Sequence, residues 1–180
     1  STELVSKLDP EQAMRRLGPA VTLMRRAVER LGGTVIHSLG DGIMALFGAP
    51  HIQEGHALLA CQAALAIQSE MKELHWTVAV RIGLHSGLIV SETKFAAPVN
   101  EREVYGVAIH IANRVQSLAE PGAIYLSEDC YHLVEPYCST RWIGRRSLRG
   151  LSYDIGIYEL LGLQPSSSEE RFKKSNLTQF

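Results

Sequence analysis

Two short apolar runs, residues 35–39 and 43–47, flank the tripeptide Gly40-Asp41-Gly42. Runs of this length on either side of an Asp-Gly corner are typical of a β-hairpin with a tight turn. The turn puts one carboxylate at the end of a two-stranded ribbon, and the glycines let other groups come close. Asp41 therefore suits a Mg²⁺ ligand, because that ion prefers hard oxygen ligands. A turn aspartate that bonds its own backbone is the commoner alternative, and spacing alone favours it.

Segments of helical and strand character alternate along the rest of the chain. Asp9 as N-cap and Pro10 at the first position open a helix whose apolar residues recur at three- and four-residue steps as far as Leu31. Further helices are predicted over residues 54–74 and 107–118 and after Ser127. The predicted strands are residues 78–85, 87–92, 123–126, 142–148 and 155–161. Helices that alternate with hairpins indicate an α+β fold with a largely antiparallel sheet.

Composition narrows the class of protein. The 180 residues fit one domain, expected over residues 1–162, followed by a Ser-rich, charged tail over 163–180 that is expected to be poorly ordered. A net charge of −1 gives no basic field, so no nucleic acid partner is predicted. No apolar run reaches the ~18–20 residues that cross a bilayer, so no membrane span is predicted within this segment. The three cysteines fit no metal spacing and indicate reduced thiols in a cytoplasmic protein.

Two groups of cationic side chains suit an anionic ligand. His110 and Arg114 are four residues apart and therefore share one face of their predicted helix. Arginine offers phosphate a bidentate fork and imidazole can donate a hydrogen bond, although a solvated polar face is the commoner explanation of such a pair. The second group surrounds the last strand pair and consists of Arg145, Arg146 and Arg149. This group fits either a triphosphate clamp or a solvated strand edge. His85, at the end of its strand, is interpreted as a core or rim histidine.

Four segments occur in an order that points to one family. They are GGTVIHSLGDGIMALFGAP at 32–50, RIGLHSGLIV at 81–90, EVYGVAIHIANRVQSLAEPGAIYLS at 103–127 and SLRGLSYDIGIYEL at 147–160. Respectively, they resemble the metal-binding hairpin, central strand pair, transition-state helix and closing segment of class III adenylate/guanylate cyclase catalytic domains. The resemblance covers residues 1–161. The chain looks similar to bacterial members of the family in which the cyclase domain precedes a larger ATPase or repeat region. It implies a ferredoxin-like nucleotide cyclase fold of the α+β class, with helices flanking a mainly antiparallel sheet.

The resemblance also implies a reaction. Members form head-to-tail homodimers with active sites at the interface, where two Mg²⁺ or Mn²⁺ ions, held by two aspartates of one subunit, promote in-line attack of the ribose 3′-hydroxyl on the α-phosphate. ATP becomes cyclic AMP and pyrophosphate, for intracellular signalling. By position, Asp41 is the second metal aspartate, and Arg114 and His110 stand where the family has its transition-state arginine and asparagine. The substrate-binding positions are His37 and Glu103 for the purine and Arg149, in place of the usual lysine, for the triphosphate.

The sequence departs from the family pattern at three places. The strand with the first metal aspartate normally ends just before a segment like STELVSKLDPEQ, with which this chain begins, so we expect the 180-residue segment by itself to be inactive or nearly so. His37 replaces the purine-selecting lysine, and His110 replaces the asparagine. The resemblance favours an adenylate cyclase with further domains, while a guanylate cyclase and a non-catalytic module that binds nucleotide or only dimerises are the alternatives. An RNA-binding α+β domain is disfavoured, because the charge is near neutral and no aromatic-basic sheet motif is present.

Overall fold

The structure, a computed structural model, describes residues 10–39, 41–73, 79–91, 104–148 and 151–165. Its helices are α1 Pro10–Arg30, α2 His56–Glu73, α3 Val107–Leu118 and α4 Glu128–Val134. Its strands are β1 Thr34–Leu39, β2 Gly42–Leu46, β3 Ile82–Leu84, β4 Val90–Ser91, β5 Val104–Tyr105, β6 Ile124–Ser127, β7 Cys138–Ser147 and β8 Asp154–Leu163. The expected tail lies almost wholly outside the described residues.

A mixed sheet of four strands forms the centre of the fold, in the order β3-β6-β8-β7. β3 and β6 are parallel, whereas β6 with β8 and β7 with β8 are antiparallel. Strand β6 is buried on both faces because helices cover both sides. Leu126 points into a core built with α2 and α4, and Tyr125 points into a core built with α3. The structure thus confirms the predicted α+β class and the mainly antiparallel sheet flanked by helices.

Helix α1 and the hairpin β1–β2 form a third packed region. Met24 and Val28 of α1 are buried against Val35 of β1 and Met71 of α2, and Arg30 forms an ion pair with Glu70 at 2.5 Å. The helix ends where the amide of Gly33 donates to the carbonyl of Val28 at 2.9 Å, with Gly32 at a φ of 78°. The predicted helix that begins at Pro10 is therefore confirmed, and it carries the hairpin on its apolar side.

Strands β3 and β4 are shorter than the sequence predicted. The strand expected over 78–85 covers Ile82–Leu84, and the one expected over 87–92 covers Val90–Ser91, although residues 74–78 and 92 lie outside the described part. Residues 85–89 belong to neither strand; they lie beside Ser127, the last residue of β6, and beside the start of α3. None of the helices among the described residues is long and apolar enough to cross a membrane.

Candidate active site

The β1–β2 hairpin presents Asp41 at its tip. The strands are antiparallel, and the last pair in register, Leu39 with Gly42, leaves a two-residue turn in which Asp41 is described and Gly40 is not. Asp41 is exposed, and its carboxylate has no hydrogen bond or ion pair with any described residue. A Cβ added at Gly42 would meet nothing within 4 Å. With respect to the described residues, the hairpin therefore leaves the Asp41 carboxylate exposed and unpaired, so another group can approach it.

His37 lies on the same hairpin, three residues before the turn. It faces Met44 across the strands and is exposed, whereas the preceding Val35 and Ile36 are both buried. A register shift between Val35 and His37 explains why the alternation of buried and exposed residues is interrupted there. The shift directs His37 to the solvent-exposed end of the hairpin that also carries Asp41.

Helix α3 carries the second pair of candidate residues. Ala108, Ile111 and Val115 are buried against β3 and β6. His110 and Arg114 are separated from this buried row by the helical period, so they lie on the side of α3 that faces away from the sheet. Neither side chain has a hydrogen bond or ion pair with the part of the chain that the structure describes. His110 and Arg114 therefore share one face of α3, on which His110 is exposed and Arg114 is half-buried.

Apolar side chains surround the outward face of α3. We define the α3 patch as the exposed residues on and beside this face, which are Leu88, Val90, Tyr105, Val107 and Leu118. Val90 and Tyr105 are paired across β4 and β5, which brings this two-stranded ribbon next to the start of the helix. Leu88 is 95% exposed and Val107 is 61% exposed. Exposed apolar groups gathered on one face mark a surface suited to a partner.

The substrate-binding positions are only partly described. Glu103 and Arg149 lie outside the described residues, so their predicted roles stay predictions. Arg145 forms an ion pair with Glu128 at 3.5 Å and donates to the carbonyl of Asp154 at 2.7 Å. Arg146 donates to the carbonyl of Arg145 at 3.0 Å. Both described arginines of the cluster are thus engaged by neighbouring groups of the chain, Arg145 by α4 and β8 and Arg146 by the backbone of β7.

His85 is a buried histidine, as the sequence suggested. Its side chain is 5% exposed, and Nδ1 lies 2.8 Å from Oγ of Ser127 and 3.7 Å from Oδ2 of Asp129. Burial lowers the pKa of His85 below its ordinary value, and the carboxylate of Asp129 offsets part of that effect. Ser127 is the N-cap of α4 and accepts a hydrogen bond from the amide of Cys130. Sequence reasoning identified the cap, but it did not find its link to His85.

Metal ligation has one candidate among the described residues. No group of three or more His, Cys, Asp or Glu side chains in these residues is arranged to hold a metal ion. Asp41 fits the chemistry of one hard-oxygen ligand, because its carboxylate is exposed and unpaired. By itself it does not make a two-metal site.

Comparisons with known proteins agree on one family. The family model of the adenylate and guanylate cyclase catalytic domain matches residues 1–161. Adenylate cyclase 1 of Rhizobium meliloti is 25% identical over 170 residues, which take in 86% of this chain and 25% of that protein. The receptor-type guanylate cyclase gcy-13 of Caenorhabditis elegans is 26% identical over 178 residues, or 93% of this chain and 17% of that protein. The chain therefore spans a quarter or less of the length of these two relatives.

Two solved structures share the fold. The adenylyl cyclase CyaB from P. aeruginosa aligns with a TM-score of 0.78 at 24% identity, covering 91% of this chain and 89% of that one. The guanylate cyclase domain of RhGC from Catenaria anguillulae, in complex with GTP, aligns with a TM-score of 0.77 at 22% identity, covering 91% of each chain. Proteins that act on either purine nucleotide thus have the architecture described above.

Proposed function

The chain belongs to the adenylate and guanylate cyclase catalytic domain family, and from this premise we propose that it converts ATP into cyclic AMP and pyrophosphate as a head-to-tail homodimer. The observation that carries the proposal is the arrangement of Asp41 and Arg114. Asp41 is on a hairpin that packs on α1, whereas Arg114 is on a helix that packs on β3 and β6. Each is unpaired among the described residues; Asp41 is exposed and Arg114 is half-buried. A second copy of the chain can therefore supply the Arg114 that faces Asp41.

The α3 patch supports this dimer. Its apolar side chains are exposed on and beside the helix that carries Arg114, as far as the described part of the chain shows. A two-fold arrangement of copies that buries this patch would build two equivalent sites from one self-complementary surface. Burial of the apolar area contributes favourable free energy of association, and the electrostatic interaction of Arg114 with a phosphate becomes stronger as water is excluded. Binding surface and catalytic group thus belong to the same side of α3.

Each described site residue has a distinct task in the proposed reaction. Asp41 provides carboxylate oxygen to Mg²⁺ or Mn²⁺, which when bound would activate the 3′-hydroxyl and neutralise charge on the leaving pyrophosphate. Arg114 of the partner copy stabilises charge that develops at the α-phosphate, because a guanidinium forms bidentate contacts with phosphate oxygens. His110, one helical turn before Arg114, donates a hydrogen bond to the same group. Arg149 is proposed to hold the triphosphate.

Purine choice is proposed to depend on His37 and Glu103. Glu103 can accept a hydrogen bond from the adenine amino group, which favours ATP. His37 can donate or accept, so it is compatible with guanine as well, and the relatives include enzymes named for each nucleotide. Guanylate cyclase activity is therefore the second candidate, and a non-catalytic module that binds nucleotide or only dimerises is the third. We propose a cytoplasmic location, because the three described cysteines are free, buried thiols. Further domains are proposed because the chain spans a quarter or less of the length of the two relatives.

Mixing two inactive variants tests the proposal. In the full-length protein, Asp41→Ala and Arg114→Ala are each expected to abolish metal-dependent cyclic AMP formation while leaving circular dichroism and the unfolding midpoint unchanged. The matched controls Asp154→Ala and Arg26→Ala, which remove exposed side chains elsewhere, are expected to stay active. An equal mixture of the two inactive variants should regain about a quarter of parental activity, since half of the dimers are mixed and each has one intact site.

The outcomes separate the alternatives. Recovery with ATP supports the proposed reaction, and recovery with GTP alone supports the guanylate cyclase. If the mixture forms heterodimers and stays inactive, the shared site is wrong. If the parent protein binds nucleotide but turns over neither ATP nor GTP, the chain is a non-catalytic module.

A further inference from the structure

Helix α3 approaches the backbone of β3 unusually closely at Gly83. A Cβ built on Gly83 would lie 2.2 Å from the amide nitrogen of Gln116, 2.6 Å from the Cα of Gln116 and 2.7 Å from the carbonyl oxygen of Ala112. All three are backbone atoms of one helix, so no side-chain rotation can relieve the contact. Ordinary carbon contacts lie at ~3.5–4.0 Å. Because Gly83 has a hydrogen where other residues have Cβ, α3 can lie this close to β3.

The segment that follows β3 lies along α3 toward the start of the helix. Gly87 is four residues after Gly83, and its added Cβ would lie 3.0 Å from the Cβ of Ala108 and 2.9 Å from Nε2 of His85. At the N-cap, Gly106 has a φ of 148° and an added Cβ there would lie 2.8 Å from the carbonyl oxygen of Leu88. Glycine and alanine residues thus allow α3 to pack close to residues 83–88 along most of its length. The approach is tightest at Gly83.

From these contacts we propose that Gly83 is a positioning residue, which sets the distance of α3 from the sheet and thereby the place at which Arg114 meets the partner copy. The inference rests on the proposed function, because it concerns the same shared site. Gly83 itself touches no substrate. The face of α3 that contacts Gly83 is the one opposite to His110 and Arg114, so a displacement of the helix moves both outward.

The size of the displacement follows from the distances. Restoring a contact of 2.2 Å to ordinary van der Waals separation requires a movement on the order of 1 Å. Misplacement of a catalytic group by about 1 Å can cost about 100-fold in rate. Gly83→Ala is therefore expected to lower kcat about 100-fold. The KM for ATP should be unchanged, because Arg114 acts on the transition state and other groups bind the nucleotide.

Gly162→Ala is the matched control. Gly162 lies in strand β8, and a Cβ added there would meet nothing within 4 Å. The two variants make the same chemical change in the same type of element, so they share the effect of alanine on strand propensity. Gly162→Ala is expected to leave kcat at the parental value. Equal losses in both variants would overturn the proposal.

Mixing experiments distinguish positioning of α3 from general damage. If Gly83 acts through Arg114, Gly83→Ala mixed with Asp41→Ala should recover about a quarter of parental activity, whereas Gly83→Ala mixed with Arg114→Ala should recover none. Recovery with Arg114→Ala, or parental kcat in Gly83→Ala alone, overturns the inference. Should Gly83→Ala fail to fold, Gly87→Ala provides the same test with a milder contact, since the added methyl meets side-chain atoms.

The controls also separate this inference from the proposed function. Failure of Asp41→Ala and Arg114→Ala to complement each other refutes the shared site itself. If that pair does complement, but Gly83→Ala mixed with Arg114→Ala also recovers activity, only the role of Gly83 is refuted.

Discussion

Replacing Ser127 by alanine removes two contacts at once from the centre of the domain. Ser127 is fully buried, and its Oγ accepts a hydrogen bond from the amide of Cys130 at 3.3 Å and lies 2.8 Å from Nδ1 of His85. Loss of the N-cap costs about 1 kcal/mol, and leaving the polar atom of His85 unpaired costs about 1–3 kcal/mol. Ser127→Ala should therefore lower the free energy of unfolding by about 2–4 kcal/mol.

Urea titrations of the parent and variants measure this loss. Ser117→Ala is the control, because Ser117 is exposed and its hydroxyl donates only within its own helix, to the carbonyl of Asn113 and to Oε1 of Gln116; its effect should stay within about 0.5 kcal/mol. A further variant, His85→Leu combined with Ser127→Ala, should cost less than the two single changes added together, since both partners of the polar contact are then gone. The reasoning is refuted if Ser127→Ala costs no more than Ser117→Ala, or if the two single changes are additive.

Two further predictions concern titration. The pKa of His85 is lowered in the folded protein, so below about pH 6.5 the unfolded state binds more protons than the folded state. The free energy of unfolding should therefore fall as the pH drops from there toward the folded pKa. In urea titrations at several pH values, His85→Gln should flatten this dependence, and an unchanged slope would contradict the prediction. The thiols should resist alkylation, because a hydrogen bond with Cys130 and burial raise the pKa of Cys61, and burial raises the pKa of Cys138 to about 12. Mass spectrometry should find the native protein unlabelled by iodoacetamide at pH 8 and all three cysteines labelled in urea, whereas rapid native labelling would refute this.

Local signals gave reliable predictions where one segment decides the outcome. The helix over Val107–Leu118 has the predicted bounds, and the cap at Ser127 and the hairpin around Asp41 are where the sequence put them. Each depends on residues close together in the chain, through helical spacing, a capping hydroxyl or turn glycines.

Features that depend on distant segments were not predictable in this way. Residues 88–90 are as apolar as a core strand, yet Leu88 and Val90 are exposed, since burial depends on what covers a segment. A glycine in a strand pattern signals a bulge or a close approach, but the sequence does not say that Gln116 is what approaches Gly83. Glu103 and Arg149 stay predictions, because they lie outside the described residues.

If Asp41 of one copy works only with Arg114 of another, as proposed, the activity is a function of protein concentration. A site shared between two copies exists only in the dimer, so well below the dissociation constant the number of sites rises with the square of the concentration, and well above it the number rises linearly. Dilution would silence the enzyme without altering any residue. Tethering two copies at an effective concentration in the ~mM range would make turnover independent of dilution. Any process that changes the distance between two copies would thereby set the rate of cyclic nucleotide synthesis.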